Sequence, residues 1–137
     1  MNLNLAIKVT KAAIAAAKKL KVSVNIAVVD EAGNLVSFVR QDGAWVGSIN
    51  IVQGKAWTAI AFSGQSADKG LTTEALKSLV QPGEALYGIQ TTDKRVVTFE
   101  GGLPIYIKGK LSGGVGISGA TVDIDKAIAE SSIKGLK

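Results

Sequence analysis

The chain contains no cysteine and no histidine, and its single methionine is the first residue. Disulfides, thiolate nucleophiles, Cys/His zinc sites and every Ser-His-Asp arrangement are thereby excluded. The commonest acid–base group near neutral pH is missing as well. Catalysis would have to rest on carboxylates, lysine, tyrosine, hydroxyls, backbone donors or a bound cofactor. Aromatic residues make up only 5% of the chain, and no RNA-binding signature interrupts them, so nucleic acid is not an expected partner. No segment approaches the roughly 18 uninterrupted apolar residues of a membrane span. Lys8, Lys11, Lys18 and Lys19 break the apolar N-terminal stretch that a secretory signal would need clean. The expectation is a cytoplasmic protein without membrane contact.

What is present describes one folded domain. With 137 residues, 47% of them apolar and 20% charged, the chain can bury a real core and is too short for two ordinary domains. The formal charge of +5 is compatible with acidic ligands drawn in by steering, and equally with a solvated lysine surface.

Residues 3–20 are alanine-rich, with Leu3, Ile7, Ile14, Ala17 and Leu20 on one side and lysines on another, which predicts an amphipathic helix. Val22–Val29 and "LVSFVR" flank the turn "DEAGN" and read as an antiparallel hairpin. A helix is expected over 45–62. A shorter one follows from Thr72 to Gln81, capped by Thr72 or Thr73 and stopped by Pro82-Gly83. "GEALYGIQTTDK" reads mostly as loop. "RVVTF", residues 95–99, reads as a third strand, and "IYIKGKLSGGVGISG" as a hairpin turning near Gly109. A last helix is expected from Asp123 to Leu136. The order α-β-β-α-α-β-β-β-α lacks the strict alternation of a parallel βαβ sheet. It predicts an α+β domain whose antiparallel five-stranded sheet carries packed helices.

Two features single out candidate site residues. On a helix over 45–62, Ile51, Val52, Ala59 and Phe62 fall within about 60° of Lys55, and Ser48 within about 20°. Lys55 thus lies in an apolar stripe. Burying an ammonium alone costs several kcal/mol, so it must snorkel, pair with a carboxylate or meet an anionic ligand. Asp42 is the nearest carboxylate in sequence, and it could instead cap the helix that begins after Gly43. The second feature is glycine: Gly101-Gly102 before "LP", and "GGVGISG" at 113–119. Glycine weakens a strand interior, so something is expected to approach closely there, a ligand or another subunit's backbone. The second run matches neither a P-loop nor a dinucleotide fingerprint. Tyr87, Tyr106, Trp45 and Trp57 read as core or interface aromatics.

The hairpin "VSVNIAVVDEAGNLVSFVRQDGA", the segment from Ser48 through "KAWTA", "GGLPIYIKGKLSGGVGISG" and the start of the last helix at Asp125–Ala129 together resemble the GlcG/HbpS family, which includes the C-terminal domain of PduO-type adenosyltransferases. The resemblance spans nearly the whole chain as a single domain, 1–137. It implies a profilin-like fold, homo-oligomers from dimer to octamer, and links to haem binding. Haem iron is ordinarily held by His, Cys, Met or Tyr; here Tyr87 and Tyr106 remain, with lysine as a rarer ligand. The lead expectation is a small-ligand-binding homo-oligomer that takes haem or another anionic tetrapyrrole or carboxylate. Its ligand-binding residues would be Arg40, Asp42, Ser48, Lys55, Gly101, Gly102 and Gly116. One alternative is an enzyme acting on a small hydroxy- or oxo-acid, with Lys55 as base or oxyanion stabiliser and Asp42 or Glu100 as proton partner. Another is an accessory or assembly module in which the glycine strand is an interface.

Overall fold

The computed structural model describes residues 1–136. Helix α1 (Leu3–Lys19) starts at Asn2, whose side-chain oxygen accepts from the Leu5 N–H, and ends on Lys18 and Lys19, which suit the negative end of the helix dipole. Strands β1 (Asn25–Asp30) and β2 (Leu35–Arg40) form the expected hairpin. Asp30 Oδ1 accepts from the Ala32 and Asn34 N–H groups and so ties its turn together. Helix α2 (Ser48–Ala61) follows, then the short α3 (Thr73–Lys77), capped by the Thr72 hydroxyl and continued by a 3-10 turn over Ser78–Val80. Strands β3 (Gly102–Ile107) and β4 (Lys110–Ser118) are joined by Lys108 and Gly109, both at positive φ, the geometry that suits a tight hairpin. Helix α4 (Val122–Ile133) closes the chain. Among the described residues no helix is long and apolar enough to cross a membrane.

The sheet is antiparallel throughout, in the order β2-β1-β4-β3. Among the described residues it has four strands, not the five expected. The missing one is "RVVTF", whose β-branched residues suit a strand but whose backbone groups are taken by α2. The Thr58 hydroxyl donates to the Arg95 carbonyl at 3.0 Å and accepts from the Val97 N–H at 2.9 Å. Gly54 lets the segment lie against the helix, since a Cβ there would stand 2.8 Å from the Arg95 carbonyl oxygen. Local propensity yielded to a side chain 37 residues away. Thr58→Val keeps the shape and removes both bonds. It is expected to cost about 1–3 kcal/mol, because two backbone groups lose their partner. Faster amide exchange at Val97 would localise the loss.

Helices cover both faces of the sheet. Ala6, Val9, Ala13 and Ala17 of α1 and Ile128 and Ala129 of α4 pack with Ile26, Val28, Val115 and Ile117 on one side. Val52, Ala56 and Ile60 of α2 pack with Ala27, Val29 and Leu111 on the other. This is why β1 is a nearly continuous buried run rather than an alternating one.

The glycines of β3 and β4 set the spacing of the α2 layer. Gly102 pairs with Gly116 and Gly116 with Ala27, giving a row of small residues across three strands. A Cβ on Gly116 would run into the Val52 carbonyl oxygen and stand 2.8 Å from the Ala56 nitrogen; one on Gly114 would stand 2.5 Å from the Ala56 carbonyl oxygen. The close approach expected at the glycine strand is therefore real. What approaches Gly114 and Gly116 is the chain's own helix α2.

Candidate functional site

Lys55 points from α2 over this glycine floor and is fully buried. Its ammonium donates to Asp125 Oδ2 at 3.0 Å and to the Ile117 carbonyl at 2.8 Å, and lies 4.9 Å from the centre of the Phe99 ring. Asp125, in the first turn of α4, accepts through Oδ1 from the Ala120 N–H. Burial pushes the lysine pKa down and the aspartate pKa up, each toward its neutral form, and their mutual attraction offsets part of both shifts. The pair links α2, β4 and α4.

The carboxylate expected beside Lys55 was Asp42. The structure corrects this: Asp42 is exposed, and the partner is Asp125, 70 residues further along. Nor does Asp42 cap α2, whose N-cap residue is Gly47 and which has no side-chain cap bond. Arg40 donates to the Ala44 carbonyl at 2.9 Å and holds the turn, and it shares an open hollow with Gln41 and Asp42. Ser48 opens α2 and is buried. Gly101, at φ +111°, leaves room for the ion pair: a Cβ would stand 2.9 Å from Lys55 Nζ. Gly102 donates to the Thr73 hydroxyl at 2.9 Å. Of the seven predicted site residues, the fold gathers Lys55, Gly101, Gly102 and Gly116, and sets Arg40 and Asp42 apart. Glu100 accepts from Lys77 at 2.9 Å, and that bond holds its carboxyl below the usual range.

An accessible site lies on the opposite side of α2. Val29, Gly33 and Leu35 of the hairpin, Asn50, Gln53, Gly54 and Trp57 of α2, and Lys94 and Arg95 enclose a cleft of ≈ 340 Å³. That is the lower end of the range for small-molecule sites. The Arg95 guanidinium lies 3.9 Å from the Trp57 ring centre and is clamped by Asp93 through Nε at 3.0 Å and Nη2 at 2.8 Å. Arg95 in turn holds the Asp93 carboxyl down to about 2. The walls are apolar, the rim carries two cations, and no lining residue is acidic. A legible signal was there: Asn50, Gln53, Gly54 and Trp57 recur at helical spacing on a stripe roughly 150° from Lys55.

The fold and these sites describe an α+β domain with helices on both faces of a four-stranded antiparallel sheet, an internal ion pair and a cation-rimmed cleft. The family model described as "Haem degrading protein HbpS-like" matches residues 1–134, and the chain belongs to this HbpS-like family. It is 40% identical over 127 residues to the "Uncharacterized 15.0 kDa protein in dhaT-dhaS intergenic region" of Citrobacter freundii, covering 92% of this chain and 84% of that one. It is 39% identical over 130 residues to the corrinoid adenosyltransferase PduO of the same organism, covering 94% of this chain but only 37% of PduO. The crystal structure of a PduOC–haem complex superposes with a TM-score of 0.87 at 36% identity, over 97% of this chain and 92% of that one. The expected family is thus established.

Proposed function

We propose that the protein is a ligand-binding subunit of a homo-oligomer, taking haem or another anionic tetrapyrrole or carboxylate in the cleft between the hairpin and α2. The observation that carries this reading is the lining of the cleft: apolar walls, the Trp57–Arg95 stack and two rim cations without a lining carboxylate. Such a surface suits a flat apolar body that bears acid groups. The relative crystallised with haem supports it. Exposed Trp45, Val46 and Tyr87 offer apolar surface for association.

The iron of haem is a separate matter. No residue lining the cleft belongs to the His, Cys, Met or Tyr set that ordinarily ligates it. The Tyr106 hydroxyl is committed to the Gly64 carbonyl at 2.7 Å. Tyr87 is exposed and lies outside the cleft lining. The cleft residues fit the carboxylates and ring face of a tetrapyrrole, and they do not fit its iron.

The enzyme alternative uses Lys55 as base or oxyanion stabiliser, and Lys55 is fully buried and bonded to Asp125. Titration with haemin, read by Soret absorbance, together with a light-scattering mass, tests the main reading. Saturable binding at one per chain and a mass of several chains are expected. A linear, unsaturable response would set haem aside, and a monomeric mass would remove the oligomer.

A further inference from the structure

We infer that the cleft recognises a carboxylate on a flat apolar ligand without any metal ligand from this chain. Trp57 and Arg95 form the stacking platform, Lys94 and the Asn50 amide are the carboxylate donors, and Asp93 is a positioning residue for Arg95. The inference rests on reading the cleft as the ligand site and adds to it the chemistry that is selected. A chain built this way treats haemin and an iron-free porphyrin alike.

The platform is set in place before a ligand arrives. Two of the donor groups of Arg95 are held by Asp93, and the guanidinium is stacked on Trp57, so one plane and one edge are fixed. The backbone at Arg95 is anchored by Thr58. The opposite wall is fixed by the hairpin turn, where Gly33, at φ +85°, touches Trp57 so closely that a Cβ would stand 2.8 Å from the indole Cδ1. A preordered site loses little freedom on binding.

The donors sort themselves by what they already do. The Gln53 amide nitrogen is spent on the Ile49 carbonyl of its own helix at 3.1 Å. Asn50 makes no side-chain hydrogen bond among the described residues. Lys94 forms no ion pair among them either, whereas the charge of Arg95 is balanced by Asp93. One cation without an ion-pair partner and one amide without a side-chain hydrogen bond thus line a cleft that also holds the stacked Trp57 and Arg95. A carboxylate with an aromatic body answers to both. A metal ion answers to neither, because the lining holds no anionic oxygen.

The experiment is a set of titrations of the full chain with haemin, iron-free protoporphyrin and 2-naphthoate, on the wild type and on Lys94→Gln, Arg95→Gln and Tyr87→Phe. Haemin and iron-free protoporphyrin are expected to bind within about threefold of each other. Lys94→Gln should weaken both by about tenfold, the effect of one lost charge-assisted bond, and Arg95→Gln should weaken both by a similar factor through loss of the guanidinium plane on Trp57. Tyr87→Phe should leave both unchanged. If haemin binds more than about tenfold tighter than the iron-free ring and loses that advantage in Tyr87→Phe, the inference fails while haem binding stands. Haemin binding that ignores both cleft variants has the same meaning. If neither tetrapyrrole binds but 2-naphthoate does, and needs Lys94 and Arg95, the inference stands and the tetrapyrrole reading falls. Binding of none of the three overturns both.

Discussion

Asp125→Ala is expected to lower stability by about 3–5 kcal/mol, because it leaves a lysine ammonium buried without a counter-charge. Lys55 would keep the Ile117 carbonyl, the face of Phe99 and the more distant charge of Glu100. The reverse change, Lys55→Met, should cost less. Asp125 would retain the Ala120 N–H, and burial already favours its protonated form. Replacing both, as Lys55→Met with Asp125→Leu, should cost less than Asp125→Ala alone, since no charge is then left inside. Urea unfolding at pH 7 gives all three values. A drop below about 1 kcal/mol in Asp125→Ala would show that Lys55 reaches water or a ligand, and would reopen its role in binding.

The same pair carries a pH signature. Asp125 has a higher pKa folded than unfolded, so the folded chain binds that proton more readily; its contribution to stability grows as pH falls toward 3.8. Lys55 has a lower pKa folded than unfolded, so its contribution grows as pH rises toward 10.5. Both slopes should vanish in the double variant.

Much of this arrangement was legible in local sequence and some of it was not, for reasons that differ by residue. Helical periodicity placed Lys55 on an apolar face, because 100° per residue is a local rule. It could not name Asp125, since only the sheet topology brings the start of α4 to the middle of α2. The turn at Asp30–Asn34 and the cap at Thr72 follow from side chains bonding to backbone a few residues away, and both are found. "RVVTF" misled for the opposite reason: its propensity is real, and a threonine on another element decided its fate. The glycines were correctly read as a place of close approach, yet a glycine does not say what comes near. Part of the cleft was visible as the stripe Asn50, Gln53, Gly54 and Trp57, but its other wall arrives from Lys94 and Arg95, some 40 residues on.

Gly116→Ala tests that close approach directly and should be nearly as damaging as the loss of Asp125. The added methyl would meet backbone on two sides, the Val52 carbonyl oxygen and the Ala56 nitrogen, with Lys55 Cβ at 3.2 Å beyond them. Neither backbone atom can move by changing a rotamer. Helix α2 must therefore rise from the sheet as a body and loosen Val52, Ala56 and Ile60 from Ala27, Val29 and Leu111. Overpacking of a core typically costs about 1–3 kcal/mol, and a clash with backbone belongs at the upper end or beyond. Gly47→Ala is the control. Gly47 sits at φ −60°, and a Cβ there meets nothing within 4 Å, so its variant should change stability by no more than about 0.5 kcal/mol. Because α2 also supplies Asn50 and Trp57, Gly116→Ala should weaken ligand binding in the cleft, although no atom of Gly116 lines it. Unfolding curves and a 2-naphthoate titration on the two glycine variants read both effects. A Gly116→Ala protein as stable as wild type would mean that α2 does not rest on the glycine floor.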